Sequence, residues 1–326
     1  MTGKWPGLLV ALIAVLVLPW LLGNDFYINL ASQIGIFALL ALSLNILIGF
    51  GGMTSLGHVV YMGCSAYACA WLTANLGVDP LLAVAGALAF SVVMAALFGV
   101  LALRATGLSF LMITLALGQI MWGVAYRWVA LTGGDNGIRL PQRPSPFGID
   151  ISGAIPFYYF VAVIFALGFF FIWRISESPY GACLRGTRDQ AKRMQMLGHN
   201  VWMIRWIAFI LAGFLGAVSG ILYIYYHKFV SPHALSLQQS AEVLLMVILG
   251  GASTLTGPIV GAIIITLIKN VASSYLDRWA TLLGLTFIVV VVFMPDGLVP
   301  GFKRLWMRLT SRTSIKAGKP PTERAS

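Results

Sequence analysis

The sequence predicts an all-α integral membrane protein with about ten transmembrane helices, on the evidence of its composition, its long apolar runs and the placement of its basic residues. Of the 326 residues, 59% are hydrophobic and only 10% are charged, whereas a soluble domain carries about 25% charged residues. The mean hydropathy is +0.90. Because so few charges cannot solvate a surface, these values exclude a soluble enzyme, a nucleic-acid-binding protein and a disordered chain.

Ten apolar runs have lengths that suit helices in a bilayer, since a spanning helix needs about 20 apolar residues. The first is expected to be an uncleaved helix, because no small-residue cleavage site follows it. The run at 239–251 is too short to cross alone and is expected to borrow flanking turns or to belong to a broken helix. The runs are 7–23, 28–49, 58–76, 81–103, 107–131, 154–174, 204–226, 239–251, 257–272 and 279–295.

The basic residues predict the orientation of these runs. The net charge of +11 comes from 21 Lys and Arg against 10 Asp and Glu, and such an excess marks the cytoplasmic segments of a membrane protein. With the N-terminus inside, fifteen basic residues fall in cytoplasmic segments and six at the opposite ends. The reversed orientation inverts this ratio, so we expect both termini in the cytoplasm.

The polar segments divide the chain. A membrane domain over residues 1–302 contains an outside loop at 132–153, which starts Thr-Gly-Gly-Asp-Asn-Gly, and a long inside loop at 175–203 with a charged centre. Residues 303–326 hold seven basic residues and one Glu. This tail is expected to be disordered and attracted to anionic lipid headgroups.

Two glycine-rich segments predict two related halves with glycine-interrupted helices. Gly51-Gly52-Met53-Thr54-Ser55-Leu56 is echoed by Gly250-Gly251-Ala252-Ser253-Thr254-Leu255. Glycine and serine are also common in packed membrane helices. Related halves are typical of transporters, whose interrupted helices lie at the substrate path. The predicted path residues are Gly51, Gly52, Ser55, His58, Glu242, Gly250, Gly251 and Thr254.

Residues that could carry chemistry are few. The chain lacks the Gly-x-x-x-x-Gly-Lys-Ser/Thr loop that cradles nucleotide phosphates, and it has no metal-binding or hydrolase motif. We therefore expect no enzymatic activity and no cofactor in this chain. Glu242 is expected either to cap its helix or to act in gating or packing. For His58 the expectation is a neutral core histidine.

The inside loop has the marks of a short helix. Ser178-Pro179 is a typical helix start and Gly198 a typical stop. Leu184, Ala191 and either Met194 or Met196 form an apolar stripe beside a basic face. Such a helix could lie on the membrane surface or be offered to a cytoplasmic partner.

Four stretches resemble bacterial ABC-importer permeases of the LivM/LivH type, which serve branched-chain amino acids. The resemblance spans about residues 45 to 300 and departs from the family pattern at Ser65, Ala191, Gln195 and His199. The stretches are Leu56-Gly57-His58 with Gly63 and Ala66-Tyr67, then Thr132 to Ile138, then Gly181 to Asn200, and Glu242 to Ala262.

The resemblance implies a complex in the bacterial inner membrane. Its other members would be a second, homologous permease, two cytoplasmic ATPase subunits that bind the ATP and Mg²⁺, and a periplasmic solute-binding protein. The inside loop would couple this chain to an ATPase, with Leu184 and Met194 filling a groove on it and Arg185 and Arg188 pairing with its carboxylates or with Asp189. The coupling set is Gly181, Leu184, Arg185, Arg188, Asp189, Met194, Leu197 and Gly198.

Other functions stay open at this point. Similar permeases carry urea, short amides or aromatic acids, and the substrate is not fixed by this chain. An ion-coupled secondary transporter would work alone, but it normally shows several mid-span carboxylates or histidines. A purely structural membrane protein is disfavoured by the glycine-interrupted runs.

Overall fold

A computed structural model describes residues 23–140, 143, 151–252, 254–275 and 297–301, with isolated positions at 19, 281, 284–285 and 288. Within these ranges the fold is a helical bundle with one two-residue strand pair. The predicted first run, the last run and the basic tail lie almost entirely outside the described residues.

Ten α-helices are described, and we number them in chain order. Helix α1 continues into a π-helical turn at Ile46–Phe50, and strands β1 (Ile138–Arg139) and β2 (Phe229–Val230) pair antiparallel. The helices are α1 Asp25–Asn45, α2 Val59–Ala74, α3 Pro80–Ala102, α4 Leu108–Arg127, α5 Val129–Thr132, α6 Ala154–Glu177, α7 Pro179–Met196, α8 Val201–His227, α9 Leu237–Gly250 and α10 Gly257–Tyr275.

Helix α1 forms the centre of the bundle. It begins where the Asn24 side chain accepts a hydrogen bond from the Phe26 N–H at 3.0 Å. It packs against α6, α8, α9 and α10, while α2 packs against α3 and α8. Helices α3, α4 and α6 are mostly exposed and apolar. Such a distribution is typical of a bundle whose outer helices face lipid.

Eight of the ten predicted runs are helices, but ten membrane crossings are not established. Five helical segments are long and apolar enough to cross a bilayer, namely residues 25–50, α3, α4, α6 and α8. The other three, α2, α9 and the described part of α10, are shorter apolar helices. Helix α9 has 14 residues and spans about 21 Å, less than the roughly 30 Å of a bilayer core.

One predicted boundary was wrong, and the predicted inside loop contains more helix than its charged centre alone. The run at 107–131 is not one helix, because α4 ends at Arg127 and the non-helical Trp128 separates it from the single turn α5. The segment at 175–203 is largely helical: α6 extends to Glu177, and α7 follows after Ser178. Hydropathy marks where apolar character ends, whereas backbone hydrogen bonds continue into polar residues.

Arg143 ties the predicted outside loop to the bundle. Its guanidinium donates to the carbonyl of Tyr225 at 2.9 Å and to that of Ser152 at 3.1 Å. The same group lies 4.2 Å from the centroid of the Phe157 ring. Together with the β1–β2 pair, these contacts fix the loop against the ends of α6 and α8.

Candidate functional site

Helix α7 begins and ends where the sequence predicts. The Ser178 hydroxyl accepts a hydrogen bond from the Gly181 N–H at 3.3 Å, and Pro179 occupies the first turn. Gly198 follows the helix with φ +85°, which favours glycine. Gln190, at φ −149° and ψ 84°, breaks the helix into two parts. The first part contacts the bundle and the second is exposed.

The first part of α7 is fixed by side-chain bonds to backbone carbonyls. The Tyr180 hydroxyl donates to the carbonyl of Ile204 at 2.7 Å, and burial raises the pKa of this phenol. Arg185 donates to the carbonyl of Ser176 at 2.8 Å. Arg205 of α8 donates to the carbonyl of Thr187 at 2.8 Å. These bonds span α6, α7 and α8, so this part of α7 moves with the bundle.

Arg188 links α7 to the end of α1. Its Nη1 donates to the carbonyl of Gly49 within the π-helical turn, and its Nε lies 3.2 Å from the Asp189 carboxylate. The Arg188 side chain also covers Gly52, where an added Cβ would lie 2.4 Å from the Arg188 Cγ. Gly52 has φ +65°. The backbone conformation and the contact together require glycine here.

Two of the predicted coupling residues point inward. Leu184 is fully buried within this chain, and Arg185 bonds the chain's own backbone. The prediction that Leu184 fills a groove on a partner was therefore wrong, because an amphipathic pattern does not reveal which protein covers the apolar face. Met194 is half-buried against Gly186. The large exposed apolar side chains at the end of α7 are Met196 and Leu197, at 85% and 68% exposure.

The predicted path segments meet at the same end of the bundle as α7. The Asn45 amide donates to the carbonyl of Thr254 at 3.0 Å, and a Cβ at Gly49 would lie 2.0 Å from the carbonyl oxygen of Ala252. Gly251 has φ +108°. Gly49, Gly51 and Gly52 on one segment and Gly250 and Gly251 on the other flank these contacts, and we call these five residues the glycine junction.

Backbone contacts hold α9 against α10 beside the glycine junction. A Cβ at Gly250 would lie 1.8 Å from the carbonyl oxygen of Gly257, and one at Gly261 equally close to that of Met246. The Thr254 hydroxyl closes the connecting turn, because it donates to the Gly251 carbonyl at 3.1 Å and accepts from the Gly257 N–H at 3.0 Å. No side chain fits between these two helices at the junction.

Most of the predicted path residues are buried inside the chain. His58 is 1% exposed, and its Nε2 lies 2.8 Å from the Ser43 hydroxyl. Ser55, Gly51, Gly250 and Gly251 are also buried. A cavity of about 280 Å³ lies beside the junction, and its lining includes Gly52, Met53, Thr54, Phe110 and Arg205.

Glu242 lies in the N-terminal half of α9, away from the glycine junction. Its side chain is 4% exposed and accepts a hydrogen bond from the Lys269 ammonium at 2.8 Å. Gln238 lies 3.4 Å from the same carboxylate, and Asn270 donates to Gln33 at 3.2 Å. We call Gln33, Gln238, Glu242, Lys269 and Asn270 the ionic cluster. Along α1 it lies about 18 Å from Asn45, since a helix rises 1.5 Å per residue.

Sequence reasoning missed Lys269 and Asn45 as functional candidates. Lys269 lies within the apolar run at 257–272, and a lysine one turn from the end of such a run can signal a buried partner. Asn45 is a fully buried amide within the apolar run at 28–49. Buried polar groups in such runs are expensive unless they are hydrogen-bonded, which is the signal that could have identified both.

The described residues of this region form close backbone contacts and a buried ion pair. Among the described residues, no three His, Cys, Asp or Glu side chains converge on a point that could hold a metal ion. Arg188 instead connects helix α7, whose far end is exposed, to the glycine junction. The short helix α9 then connects the glycine junction to the buried Glu242–Lys269 pair.

Comparison with known proteins gives a family match over most of the chain. Residues 26–293 match the family model described as "Branched-chain amino acid transport system / permease component". No solved structure matches the chain significantly.

The curated relatives agree with this match. The chain is similar to the high-affinity branched-chain amino acid transport system permease protein LivM of Escherichia coli (strain K12), at 27% identity over 89% of this chain and 74% of that protein. The LivM protein of Salmonella typhimurium is 26% identical over 84% of this chain and 70% of its own length. The E. coli LivH protein is 23% identical over 81% of this chain and 91% of its length.

Proposed function

The chain belongs to the family of branched-chain amino acid transport permease components, and we propose that it is the permease subunit of an ATP-driven importer of branched-chain or similar apolar amino acids. It is a multi-pass membrane protein, since five of its described helical segments are long and apolar enough to cross a bilayer. We place it in the bacterial inner membrane with both termini in the cytoplasm, which agrees with the distribution of its basic residues.

The observation that carries this proposal is the construction of α7. A polar helix that only lay on the membrane would need no anchoring, yet Tyr180, Arg185 and Arg188 each bond a backbone carbonyl of the bundle. The opposite end presents Met196 and Leu197. Exposed apolar side chains on an anchored helix favour a protein partner, because apolar anchors dominate such interfaces. We assign that partner as a cytoplasmic ATPase subunit.

The remaining partners complete the importer. They are a second, homologous permease, a second ATPase subunit and a periplasmic solute-binding protein, with ATP and Mg²⁺ bound by the ATPase subunits. The coupling surface comprises Asp189, Met194, Leu197 and Gly198 with Met196, whereas Gly181, Leu184, Arg185 and Arg188 hold α7 in place. The path opens along the glycine junction and Glu242, since small residues allow helices to approach closely and separate.

Reconstitution in liposomes tests the proposal. The chain, its ATPase subunits, the second permease and the binding protein should take up leucine when ATP is supplied to the ATPase side. An imposed pH gradient without ATP should drive no uptake. Uptake driven by the gradient alone would identify an ion-coupled secondary transporter. Uptake of urea, a short amide or phenylalanine in place of leucine would retain the importer and change its substrate.

A further inference from the structure

Helix α9 carries the ionic cluster as well as part of the glycine junction. The cluster contains a buried ion pair between Glu242 and Lys269, which is unusual between membrane helices. Among the described residues, Glu242 and Lys269 form the one ion pair that lies between apolar helices, at 2.8 Å. On the same two helices, one turn away, the Gln239 Nε2 and the Thr266 Oγ1 are buried without a hydrogen-bond partner. This part of α9 and α10 therefore contains buried hydrogen-bonding groups that the chain's own contacts do not satisfy.

Stability alone does not account for the pair. Burying two opposite charges removes both from water, and apolar residues of similar volume are often equally stabilising or better. Ionisable groups within membrane helices usually mark a substrate or ion pathway. The pair is also accessible, because the Lys269 side chain retains 25% exposure and Gln238 is exposed beside it.

We propose that the ionic cluster is a binding site for the zwitterionic headgroup of an α-amino acid, with Glu242 receiving the α-ammonium and Lys269 the α-carboxylate. This inference rests on the proposed function and names the substrate contacts that the function leaves open. A zwitterion carries both charges that the pair needs, so it can separate Glu242 from Lys269 without leaving either charge unpaired. Gln238 supplies a further amide at the Glu242 carboxylate.

The same arrangement keeps binding weak. A ligand must displace the existing Glu242–Lys269 contact, so part of the energy of its two new ion pairs is offset by the one it breaks. When the ligand leaves, the pair closes again and no buried charge is stranded. A transport site needs this balance, because a site that binds too tightly retains its cargo. The apolar side chain of the amino acid plays no part in this exchange.

Neutralising the pair distinguishes a substrate site from a structural ion pair. In the liposome assay, Glu242→Gln and Lys269→Met alone should each lower leucine uptake at least tenfold. A structural pair predicts that the double variant Glu242→Gln/Lys269→Met recovers uptake, since no unpaired charge remains. A substrate site predicts that the double variant stays at least tenfold below wild type. Lys228→Met, which removes an exposed charge directly after the C-terminal end of α8, should transport normally.

The charge-exchanged variant Glu242→Lys/Lys269→Glu provides the second arm. It keeps an ion pair but reverses its direction, so uptake should stay low although the complex assembles on size-exclusion chromatography. Recovered uptake in either double variant would overturn the substrate site while leaving the importer intact. Failure of both double variants to assemble would also overturn it, because the pair would then be a requirement of the fold. Wild-type uptake of urea or a short amide in place of leucine would overturn this site and leave the importer intact. Absence of any ATP-driven uptake by the wild type would contradict the proposed function and this site together.

Discussion

The two ends of helix α9 are held by opposite kinds of contact. At the ionic cluster a carboxylate and an ammonium meet 2.8 Å apart, and each can exchange its partner for another charge. At the glycine junction the helix contacts backbone atoms of α10, and Ala252 in the turn that follows contacts Gly49 of the π-helical turn, with no room for a Cβ at either contact. The first contact depends on charge and tolerates separation. The second depends on shape and tolerates no added atom.

The difference assigns the two ends different roles. Charges recognise a ligand, and close backbone packing transmits a displacement, because packed surfaces have discrete arrangements rather than continuous ones. Arg188 joins the glycine junction to α7 through the Gly49 carbonyl. A movement of α7 can therefore reach the ionic cluster through one short helix.

Adding a methyl group between α9 and α10 should have the largest effect. In Gly261→Ala the new Cβ would overlap the Met246 carbonyl oxygen, a backbone atom that cannot rotate away. We expect a loss of about 3 kcal/mol or more in the free energy of unfolding, seen as a lower thermal midpoint in detergent and a lower folded yield. Gly123→Ala is the matched control, since nothing lies within 4 Å of its added Cβ. Equal behaviour of the two variants would show that α9 and α10 are not tightly packed against each other beside the glycine junction.

Leu184 and Leu197 should separate folding from docking. Leu184 is fully buried, so Leu184→Ala should lower the free energy of unfolding by about 2–5 kcal/mol. Leu197→Ser should leave the thermal midpoint unchanged and weaken binding of the purified ATPase subunit about tenfold, as expected for an interface anchor. If Leu197→Ser binds the ATPase subunit normally, the exposed end of α7 is not the docking surface.

Arg188→Ala should uncouple α7 from the glycine junction without unfolding the protein. It removes a charge-assisted hydrogen bond to Gly49, worth about 1.5–3 kcal/mol. We expect ATP hydrolysis stimulated by the loaded binding protein to fall about tenfold. Arg193→Ala, an exposed arginine on the same helix, serves as the control. Equal stimulation in both variants would remove Arg188 from the link.

Asn45→Ala should have the smallest effect. The variant loses one hydrogen bond to the Thr254 carbonyl, so the free energy of unfolding should fall by about 1 kcal/mol. Asn75→Ala, at the exposed end of α2, should change it less. Thermal unfolding in detergent compares the two. A larger loss at Asn75 would show that the Asn45 contact does not hold the junction.

The sequence predicts much of the fold, because helix formation in a bilayer follows from local apolar character. Eight of the ten runs are helices, and Ser178, Pro179 and Gly198 mark the limits of α7 through local backbone chemistry. The family was likewise recognisable from the motifs at 181–200 and 242–262. These features depend on residues that are neighbours along the chain.

The site contacts were not predictable in the same way, because they join residues that are distant in sequence. Arg188 meets Gly49 across 139 positions, and Lys269 meets Glu242 across 27. The amphipathic pattern of α7 correctly placed Leu184 on an apolar face. It could not show that the bundle itself covers that face, because burial depends on tertiary packing. The predicted path residues stay a proposal for the same reason.

The most direct test of the link along α9 is a distance measured during turnover. Spin labels at Leu237→Cys on α9 and Leu81→Cys on α3, with Cys183→Ser, report the position of α9 relative to a helix outside the junction. We predict that ATP and loaded binding protein shift the distance distribution in the reconstituted complex, and that Arg188→Ala abolishes the shift. An unchanged distribution with Arg188 present, or an equal shift without it, would contradict the account.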